Sequence, residues 1–208
     1  LTDTYFIGLL DDPIQLGAIS LAFPVFTFLQ AVGNMFGLGA PSYISRCLGA
    51  KKYDEVRKTS AVSIYVTVII TFVLTLLILI FMEPILSLIG TSSDTVSPTK
   101  NYLHIIVGFA VILILQIILP ALLRAEGKAK EAMIGMVIGT VVNIVLDPVM
   151  ILALHMGVAG AAISTLVSRI FCMVVIFIAL SKPKLEIVVS QYYTIRPDFK
   201  LIASILAI

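Results

Sequence analysis

Residues 13–45 contain no Asp, Glu, Lys or Arg, and neither do residues 59–82 or 101–123. A helix needs about 20 predominantly apolar residues to cross the hydrocarbon core of a bilayer. Each of these runs is long enough, and that fixes the solvent the chain folds in. Composition agrees: 60% of residues are hydrophobic and only 12% charged, whereas a soluble domain carries about 25% charged residues. The mean hydropathy is +1.11. The chain reads as an all-α integral membrane protein, a polytopic helix bundle whose first partner is the lipid bilayer. Nothing in its charge pattern offers a surface for nucleic acid.

Apolar runs between turn signals divide the chain. The end of one helix runs to about residue 10, before Asp11, Asp12 and Pro13. Five complete spans follow, at about 14–46, 55–82, 99–123, 129–154 and 158–180, and a seventh starts after Pro197. The opening "LTDTYFIGLL" reads as the second half of a helix, and "FKLIASILAI" as the start of another. The expectation is therefore a fragment: a bundle over 1–181, a linker over 182–197 and the beginning of a further helix over 198–208. Cys47 and Cys172 show no metal or redox spacing and read as small apolar filler.

Basic residues choose sides. Arg46, Lys51, Lys52, Arg57 and Lys58 follow the second span; Arg124, Lys128 and Lys130 follow the fourth; Lys182, Lys184, Arg196 and Lys200 follow the sixth. The alternate loops hold Lys100 beside the acids Asp11, Asp12, Glu83 and Asp94. Loops rich in Lys and Arg stay cytoplasmic, so the loops after spans two, four and six are expected inside, and the first helix runs outward.

One acid interrupts an otherwise uncharged stretch. Between residues 132 and 168, Asp147 is the only formally charged side chain, with Asn143 a turn before it and Pro148 directly after. At a rise of about 1.5 Å per residue, Asp3 lies roughly 12 Å below the outer surface, Asp147 roughly 10 Å, and Thr165 about 7–12 Å. Three polar side chains from three helices thus reach one level. Asn143 and Asp147, spaced i and i+4, share a helix face. Pro148 has no N–H, so the carbonyl of Ile144 loses its helical partner and the fifth span has a place to bend. Two carboxylates, an amide, a hydroxyl and a freed carbonyl are oxygen ligands suited to a proton or a hard cation such as Na⁺. A structural acid bonded to neighbouring helices is the plainer alternative. An ionisable group inside a membrane costs at least about 2.5–3.5 kcal/mol on insertion scales, which favours function.

Four motifs resemble the multidrug and toxic compound extrusion (MATE) transporters, in order and across essentially the whole chain. They are "TDTYFIGLL", "GLGAPSYISRCLGAKKYDEV", "LLRAEGKAKEAMIGMVIGTVVNIVLDPVMI" and "GVAGAAISTLVSR". The resemblance implies the amino-terminal six-helix half of a two-lobe transporter, with the carboxy-terminal lobe as its partner. It implies export of organic cations or amphipathic drugs across a bacterial or archaeal plasma membrane, in exchange for H⁺ or Na⁺ and with no other cofactor. In that family an Asp of helix one, an Asn and an Asp of helix five and a Thr of helix six handle the coupling ion. They fall on Asp3, Asn143, Asp147 and Thr165. A family Tyr at the start of helix four falls on Tyr102, which as an interfacial aromatic needs no function.

Arg169 sits one turn below Thr165, near mid-membrane. A buried cation needs a partner, and Asp147 or Asp3 is the expected one; such a pair would modulate ion coupling. Alternatively, Arg169 snorkels or faces a cavity between lobes. Gln30, Asn34 and Gln116 line a cavity or make interhelical hydrogen bonds, and Gly33, Gly37 and Gly39 form a packing stripe.

A lipid-linked sugar or polysaccharide flippase would share the topology, but would be expected to show more than Arg169 as a basic group inside the membrane. An intramembrane enzyme is expected to show a Ser/His, paired His or Cys/His arrangement at depth, and none is visible in the sequence. A channel would not require a buried pair of carboxylates.

Overall fold

The structure, a computed structural model, describes residues 2–10 and 12–180. The expected linker and seventh helix, with Lys182, Lys184, Arg196 and Lys200, lie outside the described residues, as does Asp11. Among the described residues every regular element is helical. They are α1 (Thr2–Gly8), α2 (Pro13–Gly49), α3 (Tyr53–Ile80), α4 (Met82–Leu88), α5 (Val96–Gly108), α6 (Ala110–Ala125), α7 (Ala129–Pro148), a π-helical turn (Val149–Ala153) and α8 (Gly157–Leu180). Four described helices are long and apolar enough to cross a membrane, and α5 with α6, taken together, pass the same test.

Local chemistry sets the boundaries. Asp12 caps α2, accepting from the backbone N–H of Ile14 at 3.0 Å and of Gln15 at 3.4 Å, with Pro13 in the first turn. Gly127, at φ +77°, closes α6: its N–H reaches Arg124 O at 3.0 Å and Lys128 N–H reaches Leu123 O at 2.9 Å. Such a left-handed glycine stop reverses the chain tightly into α7.

Two spans differ from the straight helices expected over 55–82 and 99–123. The first stops at Ile80, and α4 starts afresh at Met82. Pro84 explains this: its ring would clash with the carbonyl of Ile80 in a continuous helix, yet it fits the first turn of a new one. The second breaks between Gly108 and Ala110, where α5 and α6 meet at 51°. Gly108 is a poor helix former. Thr75 of α3 donates to the carbonyl of Val107 at 3.3 Å, supplying a partner at the break.

The long helices pack through three apolar clusters. Ile7, Leu103, Ile106 and Ile151, from α1, α5 and the π turn, are buried in one cluster with residues of α2 and α8 such as Ala22, Leu29 and Ala161. Phe36, Ile44, Ile114 and Ile118 join α2 to α6; Leu119, Leu123, Cys172 and Ile176 join α6 to α8. Along α3 runs a buried row of hydroxyls four residues apart, Thr59, Ser63, Thr67, Thr71 and Thr75. Ser63 and Thr67 each bond back to the preceding turn, both at 2.7 Å, whereas the hydroxyls of Thr59 and Thr71 are buried with no hydrogen-bond partner among the described residues. The outer faces are apolar: Leu38, Ile80 and Leu88 are 73%, 72% and 86% exposed. Side chains like these belong in lipid or against another apolar surface. The molecule is an all-α integral membrane protein.

Candidate functional site

Helices α7 and α8 form the wall that carries the site, and glycines let them approach. A Cβ on Gly135 would stand 2.8 Å from Ile176 Cγ1; one on Gly139 would stand 2.9 Å from Cys172 Cβ and 3.1 Å from Ser168 O. Gly135, Gly139, Asn143 and Asp147 recur every four residues, so the close-packed stripe of α7 runs straight into its polar pair. On α8 the facing stripe is Ile176, Cys172, Ser168 and Ser164. Both cysteines are free and buried, and Cys172 packs there as a small apolar residue.

That registry delivers donors to an acid. Asp147 is fully buried. Its Oδ1 accepts from Asn143 Nδ2 at 3.1 Å and from the hydroxyl of Ser164. Its Oδ2 is buried with no hydrogen-bond partner among the described residues. An unpartnered carboxylate oxygen in a dry interior is costly and calls for a proton or a cation.

Asp3 arrives from α1. Thr165 Oγ1 donates to its Oδ2 at 2.7 Å, and Asp3 lies near enough to Asp147 for the two carboxylates to interact directly. Asp3, Asn143, Asp147 and Thr165 are therefore brought together; the sequence places Asp3, Asp147 and Thr165 at one depth. Ser164 was missed by sequence reasoning, because a lone Ser in "AAISTLVSR" gives no hint of which neighbour it faces.

Beside the acids lies a cavity of about 460 Å³ lined by Asp3, Gln30, Tyr102, Asn143, Thr165 and Arg169, among others. Tyr102, 7% exposed, forms part of its wall. Gln30 and Gln116 also line it, whereas Asn34 is exposed on α2 and does not. Arg169 differs from its expectation. The hydrogen bond that holds it runs from Nη1 to Oε1 of Gln116 at 2.7 Å, not to Asp147 or Asp3. Ser164 and Thr165 donate to one oxygen of each carboxylate, and Arg169 instead lines the cavity.

Pro148 ends the regular part of α7. The next five residues form the π turn, in which Leu154 N–H reaches back to Val149 O at 2.9 Å. Gly160 of α8 fits against this turn, since a Cβ there would stand 2.7 Å from Met150 O. The expected bend at Pro148 thus takes the form of local unwinding directly after Asp147. Such π turns occur frequently at functional sites.

A family model described as MatE matches residues 1–149. The chain belongs to the MATE family. Over 166 residues it is 40% identical to the multidrug export protein MepA of Staphylococcus aureus (strain NCTC 8325 / PS 47), an alignment covering 80% of this chain and 37% of that protein. Its fold matches a crystal structure of MATE in the bent conformation with a TM-score of 0.91, at 29% identity, covering 99% of this chain and 46% of that one. It matches the inward-facing conformation of a multidrug resistance MATE family transporter with a TM-score of 0.92, at 28% identity, covering 99% and 47%. The MATE chain thus spans a little over a third of that curated relative and under half of those structures.

Proposed function

We propose that the protein is a secondary active antiporter that exports organic cations or amphipathic drugs in exchange for H⁺ or Na⁺. The observation that carries this reading is the pairing of Asp3 with Asp147 beside a cavity, with Asp147 Oδ2 unpartnered. The named relatives are a multidrug export protein and a multidrug resistance transporter, which does not favour the flippase alternative.

The geometry supports a definite division of labour. Asn143 and Ser164 occupy Oδ1 of Asp147 and fix its plane, so the incoming ion meets Oδ2. Thr165 holds the outer oxygen of Asp3 and leaves the other free to share that ion. A proton needs only these oxygens; a hard cation such as Na⁺ takes the same oxygen donors. With the ion bound, α1 and α7 are drawn together; without it, two neighbouring negative charges oppose their contact. An ion can drive rocking of the lobes only through such a difference in affinity between two packings. Tyr102 forms part of the cavity wall, and the π turn after Pro148 gives α7 a soft point at which to respond.

In this reading residues 1–181 are the amino-terminal lobe, 182–197 join it to the second, and 198–208 begin that lobe's first helix. The loops carrying Arg46, Lys51 and Lys52, and Arg124, Lys128 and Lys130, face the cytoplasm of a cell whose plasma membrane holds the protein.

The test is efflux of a fluorescent organic cation from liposomes containing the full-length protein, with pH and Na⁺ gradients imposed separately. Export driven by one gradient supports the antiporter and names its ion. Export independent of both contradicts it.

A further inference from the structure

Arg169 is a half-buried cation held by a neutral amide. Gln116, itself 8% exposed, is anchored in turn, its Nε2 lying 3.8 Å from Cys172 Sγ. The amide therefore presents its oxygen to Arg169 and fixes the guanidinium on the wall of the cavity. An amide orients a guanidinium but brings no negative charge to balance it. A charge withdrawn from water is costly unless it is paired, and the pairing is strongest when a planar guanidinium meets a planar oxyanion.

The rest of the cavity fits a mid-sized amphiphile. Its volume of about 460 Å³ lies within the range of about 300–1,000 Å³ usual for small-molecule sites. Phe23 and Phe26 of α2 supply aromatic wall, and Ser168 and Thr140, whose hydroxyls donate to Thr165 O and Met136 O, also line it. Asp3 lines the cavity too, so the site carries one fixed cation and one acid. A ligand with only a positive charge uses Asp3 and offers no oxyanion to the guanidinium donors of Arg169.

We infer that Arg169 is a specificity-determining residue that receives an anionic group, a carboxylate or similar oxyanion, on the transported amphiphile. The inference rests on the cavity being the substrate site of the proposed exporter, but it concerns which molecules bind rather than which ion drives them. Gln116 is its positioning residue.

Equilibrium binding separates this from the coupling mechanism. The probes are rhodamine 110, a xanthene dye with a free carboxylate, and its methyl ester, rhodamine 123, followed by fluorescence polarisation on the purified full-length protein. The expected result is roughly tenfold tighter binding of the acid than of the ester, as for a charge-assisted hydrogen bond to a ligand. Arg169→Gln should bring the two dyes to equal affinity. Gln116→Glu keeps the arginine but gives it an internal carboxylate, and should likewise remove the preference; it guards against loss of folding in the first variant. Both variants should still bind the ester. Equal binding of the two dyes by the parent, failure of the acid to bind, or a preference that persists in both variants would overturn the assignment. Loss of gradient-driven export with the acid preference intact would instead count against the antiporter reading alone.

Discussion

Thr165 of α8 donates a hydrogen bond of 2.7 Å to Asp3 of α1, across 162 positions of sequence. It ties the first described helix to the last at the level of the buried acid. Hydrogen bonds to charged groups are worth about 1.5–3 kcal/mol. Thr165→Val should therefore loosen α1 and lower the melting temperature in detergent, while Thr165→Ser, which keeps the hydroxyl, should restore most of it. Equal melting of the two variants would show that the bond contributes nothing.

Ser164 makes the matching contact to Asp147. Ser164→Ala leaves Oδ1 with Asn143 as its only donor, so the plane of the carboxylate is less firmly held. The expected outcome is a higher coupling-ion concentration for half-maximal efflux at normal membrane insertion. An unchanged ion dependence would reduce Ser164 to packing.

The approach of α7 to α8 depends on Gly139. Its added Cβ would meet the backbone oxygen of Ser168 at 3.1 Å and Cys172 Cβ at 2.9 Å, and backbone cannot swing aside. Overpacking of this kind costs about 1–3 kcal/mol. Gly139→Ala should lower the melting temperature by more than Gly33→Ala, where the nearest atom, at 3.1 Å, is the far end of the Ile117 side chain. A larger effect at Gly33 would contradict this packing account.

Asp12 gives a pH dependence outside the membrane. The side-chain hydrogen bond from Gln15, with the N–H groups of Ile14 and Gln15, holds its carboxyl below the usual value. A group so lowered stabilises the native state above its ordinary range, and that contribution is lost as pH falls through the folded value. Acidification should therefore fray the start of α2 in the parent. In Asp12→Asn, measured by hydrogen exchange at Ile14 and Gln15, this acid-dependent step should be absent; a step of equal size in both would point elsewhere.

Much of the site was readable from spacing. Charge-free runs give the spans, and depth along three helices brings Asp3, Asp147 and Thr165 to one level before any packing is known. The four-residue recurrence of Gly135, Gly139, Asn143 and Asp147 also lay in the sequence and announces the close α7–α8 seam. Ser164 could not be found this way, and Gln116 was placed in a cavity or an interhelical bond without its partner Arg169 being named, because a neutral polar side chain declares its partner only once two helices are set in rotation about their axes. The break at Gly108 escaped for a related reason. Gly inside a membrane helix is common, and what unlocks this one is a hydroxyl from Thr75, on another helix. For Arg169 the sequence offered an acid partner or a place on a cavity; it lines the cavity, and its hydrogen bond goes to the amide of Gln116.

The central claim is that Asp147 couples an ion gradient to export. The most direct measurement compares Asp147→Asn with the parent in liposomes, scoring dye efflux under an imposed pH or Na⁺ gradient beside equilibrium dye binding. The account predicts that the variant still binds dye but no longer exports it in response to either gradient. Gradient-driven efflux at the parent's rate in Asp147→Asn would contradict it.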